Sequence, residues 1–156
     1  MGSYFQSIVD VDATAEAAAT LADRLLAWLV ERGEVEPGGV TRDRTAVEGV
    51  VVDTRRRVYY SLTGEQDIRC PHCAGPTTLE DHLGDVIAEW HEGGSGLAGC
   101  PNCQREVGLN DWRWSPPWAF GNLGITFWDW TWFSDAYLDE VSEFLGHRVV
   151  RAYGKL

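Results

Sequence analysis

Two turns of the same spacing, Cys70-Pro71-His72-Cys73 and Cys100-Pro101-Asn102-Cys103, hold all four cysteines of the chain. A Cys-x-x-Cys turn presents two sulfurs to one point, and two such turns supply the four thiolates that a tetrahedral Zn²⁺ ion takes. Iron in the same sulfur cage is the next reading, and a dithiol redox centre is the third. Redox pairs of this spacing open a helix whose dipole lowers a thiol pKa. Here Pro71 and Pro101 lie inside the turns, and no apolar helical pattern follows either pair directly. His72, His82 and His91 fall within or between the turns. Four sulfurs already complete a structural site, so the histidines are expected to stay off the metal. A complete site also leaves no open position for metal-activated water.

The two turns resemble the zinc knuckles of rubredoxin-like and zinc-ribbon proteins. The resemblance covers the turns and their spacer only, and it implies structural zinc held by Cys70, Cys73, Cys100 and Cys103. That family places Gly after the second Cys of each knuckle. This chain has Ala74 and Gln104 there, with Gly75 one residue late at the first knuckle. The spacer, residues 74–99, carries Glu80, Asp81, Asp85, Glu89 and Glu92 and no Lys or Arg. Leu79, Leu83, Val86, Ile87 and Trp90 share one face of a short predicted helix within it.

Aromatic residues form the second constellation. Six of the eight Trp lie in residues 112–132. A strand over Leu123–Phe133 would set Trp128, Trp130 and Trp132 on one sheet face, and Ile125, Phe127, Asp129, Thr131 and Phe133 on the other. Intramolecular core is the plain reading; a partner or ligand surface formed by Trp112, Trp114, Trp128, Trp130 and Trp132 is the functional one. Base stacking on such a face needs flanking positive charge, and residues 106–143 hold only Arg113 against seven acids. Arg55-Arg56-Arg57, the only basic run, reads most simply as a solvated turn. Catalytic motifs are missing: the sequence has no glycine-rich phosphate loop, serine nucleophile elbow or His-Glu metalloprotease signature. The chain is read as a non-enzyme.

These residues need a scaffold, and the apolar pattern supplies one. Tyr4–Val11 predicts a strand, with Asp12 as N-cap of a helix from Ala13 to about Arg32 that Gly33 stops. Val50–Val52 and Val58–Leu62 predict a hairpin or one bent strand. After the cysteine block come the Ser115-Pro116-Pro117 linker, the aromatic strand, a helix capped by Ser134 and ended by Gly146, and a last strand at His147–Tyr153. Without the cysteine block the order is strand, helix, strand, strand, helix, strand. This α+β order is that of a ferredoxin-like split βαβ sheet, with the zinc-knuckle insertion between its two βαβ halves. The expected divisions are residues 1–63, 64–114 and 115–156, within one compact domain.

A formal charge of −11 argues against nucleic acid and against anionic membranes as partners. No signal-peptide pattern opens the sequence, and paired reduced cysteines suit the cytoplasm. The expectation is a small cytoplasmic structural-zinc protein acting through contacts with another, basic protein, as adaptor, regulator or acidic inhibitor. Self-association into a homodimer is a second way to cover an aromatic face. The alternatives are a ligand-binding protein or enzyme with an aromatic pocket between sheet and insert, and third a zinc-ribbon nucleic-acid factor.

Overall fold

The computed structural model of the chain describes residues 2–62 and 64–156, so the expected division at residue 63 falls outside the described residues. The chain is mixed α+β. Its framework begins with β1 (Tyr4–Asp10), α1 (Ala18–Glu31), β2 (Val40–Thr41), β3 (Val50–Asp53) and β4 (Arg57–Tyr60). The cysteine lobe follows: β5 (Asp67–Arg69), β6 (Pro76–Thr77), a π-helical turn (Leu79–Leu83) that runs into α2 (Gly84–His91), β7 (Leu97–Gly99), β8 (Glu106–Gly108) and β9 (Arg113–Ser115). The chain ends with β10 (Trp118–Gly121), β11 (Leu123–Trp128), α3 (Asp135–Leu145) and β12 (Val149–Lys155).

The main sheet has the order β12-β1-β11-β3-β2. Its central pairs are antiparallel, with Ile8 opposite Ile125 and Arg151, and Val52 opposite Ile125. Strand β2 runs parallel to β3. Helices α1 and α3 cover one face, where Leu21, Leu25 and Leu29 of α1 and Val141 and Leu145 of α3 meet Ile8, Val50, Ile125 and Phe127. The apolar repeat of α1 is the cause, since every third or fourth residue from Ala18 is buried.

The second face is covered by the chain's own ribbon, β4 paired with β10. Alternation along a strand gives that ribbon two jobs. Tyr59 and Ala119 face the sheet and pack on Val9 and Ala152. Val58 and Phe120, one residue along, face outward into the core of the cysteine lobe. The layers therefore run helices, sheet, ribbon, lobe. Val50–Val52 and Val58–Leu62 are neither a hairpin nor one bent strand: the chain leaves the main sheet after Asp53 and joins β10 instead.

Two departures from the sequence reading have a local cause. The first helix starts at Ala18 and not Ala13, because Asp10 at the end of β1 draws the N–H groups of Asp12 and Ala13 onto its own carboxylate at 3.0 and 2.9 Å. Asp12 is accordingly no N-cap; it accepts from the Arg148 N–H at 2.8 Å. The aromatic strand stops at Trp128, where Asp129 turns into the left-handed region at φ 51° and exchanges hydrogen bonds with Tyr4. Ser134 does cap α3, accepting from the Tyr137 N–H at 3.1 Å, and Gly146 ends it at φ 70°. Among the described residues no helix is long and apolar enough to cross a membrane.

Candidate metal centre

Each cysteine turn sits at the tip of a two-stranded hairpin. In the first, β5 and β6 pair Ile68 with Thr77 and Arg69 with Pro76. In the second, β7 and β8 pair Ala98 with Val107 and Gly99 with Glu106. The tips are built alike. Ala74 N–H donates to the Cys70 carbonyl and Cys70 N–H to that of Gly75, at 2.9 and 3.0 Å; Gln104 N–H donates to Cys100 and Cys100 N–H to Arg105, both at 2.8 Å. Closing these turns places Ala74 at φ 59° and Gln104 at φ 68°. They are the two positions where the zinc-knuckle family uses Gly, so the backbone bend is kept although the residue is not.

The four sulfurs all lie within 4.8 Å of one another. Cys70 Sγ is 3.8 Å from Cys103 Sγ, and Cys73 Sγ is 3.7 Å from Cys100 Sγ. A tetrahedron with metal–sulfur bonds of about 2.3 Å has edges of about 3.8 Å, whereas a disulfide needs about 2.05 Å. The tetrad has the dimensions of a metal cage, and the cysteines are free. Backbone N–H groups point at three of its sulfurs: His72 to Cys70 at 3.4 Å, Gly75 to Cys73 at 3.3 Å, and Asn102 and Cys103 to Cys100 at 3.4 and 3.5 Å. Such donors stabilise thiolates. The donor set fits a soft divalent ion bound through sulfur.

The thiols share their protons unequally. Burial opposes ionisation of Cys100, but the Cys103 and Asn102 N–H groups and the neighbouring sulfurs outweigh it and bring its pKa down to about 6. At Cys73 the Gly75 N–H favours the thiolate, yet desolvation and the three other sulfurs together push the pKa up to about 11. A cation entering the cage must displace the remaining protons.

The histidines take other partners. His82 Nδ1 lies 2.8 Å from Thr77 Oγ1, with its ring edge-on to Trp112, and His72 Nδ1 is 3.5 Å from Arg105 Nη1. His91 is exposed at the end of α2. Asn102 ties the two tips together, donating to the Pro76 carbonyl at 3.0 Å. Its amide lies so close to Gly75 that a Cβ there would stand 2.4 Å from Nδ2.

The five tryptophans singled out from the sequence do not form one surface. Trp112 is buried in the lobe core, and Trp114 stacks on Trp118 at 5.1 Å while its Nε1 donates to the Leu109 carbonyl. Trp128 ends β11 half-buried against Phe5 on the ribbon-side face. Trp130 and Trp132 lie past the strand, 39% and 55% exposed. With Tyr4, Phe127 and Tyr153 they wall an open groove of about 470 Å³ at the end of the sheet that the helices leave bare.

One residue with a job was read from the sequence as solvated. Arg56 donates from Nε to the Trp90 carbonyl at 2.5 Å and from Nη2 to the Gly94 carbonyl at 2.8 Å, with its guanidinium 4.2 Å from the Trp90 ring centroid. It binds the carbonyl end of α2 to the ribbon turn. The signal was present: a helix without Lys or Arg in its last turn wants a cation from elsewhere. No protein-family model matches the chain, and no curated protein and no solved structure matches it significantly.

Proposed function

We propose that this chain is a cytoplasmic zinc-stabilised protein without catalysis, acting as adaptor, regulator or acidic inhibitor through contact with a basic protein. The framework is read as ferredoxin-like, with the zinc-ribbon lobe inserted between its halves; the order β12-β1-β11-β3 and its antiparallel pairing support that reading. The sulfur tetrad carries it. Four thiolates complete a tetrahedral ion, so the metal holds the lobe and offers no position to a substrate. The contact surface is the exposed aromatic rim of Tyr4, Trp130 and Trp132 on a chain of charge −11.

The test has two parts. Elemental analysis of protein purified without added metal should find one zinc per chain. A Trp130→Ala/Trp132→Ala variant, changed only at exposed positions, should fold normally and lose stoichiometric co-purification with a cationic protein from the native cell. Iron in place of zinc, or retention of the same partner by the variant, would overturn the corresponding half. The second reading, a ligand-binding protein or enzyme with an aromatic pocket, moves from the junction of sheet and insert to the groove beside these tryptophans, whose wall holds neither Trp112 nor Trp114, nor any residue of the insert. A zinc-ribbon nucleic-acid factor remains third, against the charge.

A further inference from the structure

A second cavity, of about 210 Å³, lies on the ribbon-side face of the sheet, between the ends of β1 and β11, strand β4 and the loop around Arg44. Phe5, Val47, Leu62 and Trp128 give it apolar walls. The charged side chains in its wall, Arg44 and Arg57, are both donors. The Arg44 guanidinium comes no closer than 3.6 Å to Asp53 Oδ2 and makes no hydrogen bond among the described residues. Arg57 makes a single long one, 3.4 Å, to the same oxygen. Each guanidinium carries five N–H donors. Tyr59 and Trp128 contribute ring surface to the wall, while Tyr59 Oη and Trp128 Nε1 themselves are buried. Of the other hydroxyls in the wall, Ser7 and Thr126 satisfy each other at 2.6 Å, Thr45 donates to Asp43 Oδ1 at 2.7 Å, and Tyr60 is exposed.

Tyr59 is fixed where it stands. Its ring rests on the Gly124 backbone, where a Cβ would meet Oη at 2.3 Å, and Arg57 lies 4.6 Å above the ring centroid. Burial raises the pKa of the phenol, so it keeps its proton. Charge points the same way. Two guanidiniums share the one carboxylate of Asp53, in a chain that is otherwise strongly acidic.

We infer that this cavity binds a small organic monoanion, a carboxylate carried on a flat apolar body. The carboxylate supplies the acceptors that Arg44 and Arg57 lack, in the forked geometry guanidinium favours. The apolar body fills the space between Phe5, Val47 and Trp128. The volume falls below the roughly 300–1,000 Å³ of pockets for drug-sized ligands, so a nucleotide does not fit. The competing account is that both arginines serve only to neutralise buried Asp53. It predicts no dependence on an added anion.

Benzoate is the probe, titrated into the ¹⁵N-labelled, metal-loaded full chain. The indole N–H signal of Trp128, assigned with Trp128→Phe, and the arginine Nε–H signals should shift and saturate. Benzamide has the same shape without the charge, and inorganic phosphate has the charge without the ring; each should bind at least about tenfold more weakly than benzoate. Arg44→Gln should weaken benzoate about tenfold or more and leave the melting temperature unchanged, while Arg44→Lys recovers part of the loss. Should Arg44→Gln lower the melting temperature, Val47→Asp at a half-exposed lining position applies the same test by charge. No saturable shift, equal binding of benzamide, or unchanged binding by both variants would overturn the proposal.

Discussion

Ala74 and Gln104 hold a backbone shape that disfavours any side chain with a Cβ. For a non-glycine residue the left-handed region costs about 1–2 kcal/mol, and both turns carry that strain because four hydrogen bonds close them. Ala74→Gly and Gln104→Gly should therefore each stabilise the metal-loaded protein, by about 0.5–1 kcal/mol after the extra chain entropy of glycine is subtracted. Thermal unfolding of the two single variants checks this, and a fall in melting temperature would show the turns to be unstrained. Gly75→Ala should do the reverse. Its methyl would meet the Asn102 amide, push the two tips apart and weaken metal binding. At this scale the convergence of the four sulfurs was legible in advance, since it follows from the spacing of the two turns. The φ angles were not, because nothing in Ala or Gln announces them.

Among the elements, legibility depended on how local the cause was. Helix α3 was read well because Ser134 and Gly146 mark its ends within a few residues. Strand β4 was misread because its apolar residues look the same whether they join the main sheet or a ribbon across it; long-range pairing with β10 decides. Asp129 hid the end of β11 in the same way, as the alternating tryptophans continue past the point where Tyr4 captures its carboxylate. Helix α2 was recognisable from its apolar face, and its need of a cation from a last turn without Lys or Arg, but not that Arg56 supplies it. Arg56→Gln tests that anchor. It removes two charged hydrogen bonds and a stacking contact, and should destabilise the lobe by about 1.5–3 kcal/mol. Hydrogen exchange should quicken over residues 84–98 and stay unchanged in β1, β11 and β12. Uniform quickening across the chain would mean that lobe and sheet open as one unit.

For the whole molecule, the ribbon divides the apolar interior into parts that respond differently to metal loss. The helix-side core rests on α1, α3 and the sheet, with no contribution from the sulfurs. The lobe core includes Cys70 and Cys100 themselves, along with Ile68, Leu83, Trp90 and Phe120. A chelator should melt residues 68–114, expose Phe120 and Val58 to a hydrophobic dye, and spare the helix-side core. Acid should act with the same sign. Protons compete for the thiolates, so metal affinity should rise with pH through the range from about 6, set by Cys100, to about 11, set by Cys73. Competition with a chromophoric chelator at several pH values measures the slope. Affinity that ignores pH would mean that the ion is not held by these thiols.

Strands β5 and β9 pair as the chain enters and leaves the lobe, Asp67 opposite Ser115 and Ile68 opposite Trp114. To the framework, the whole excursion is then a connection whose ends already touch, and its length scarcely enters the entropy of closing it. Lineages could lengthen, trim or exchange what lies beyond that doorway while the sheet keeps its register, provided Val58 and Phe120 are given something apolar to rest against.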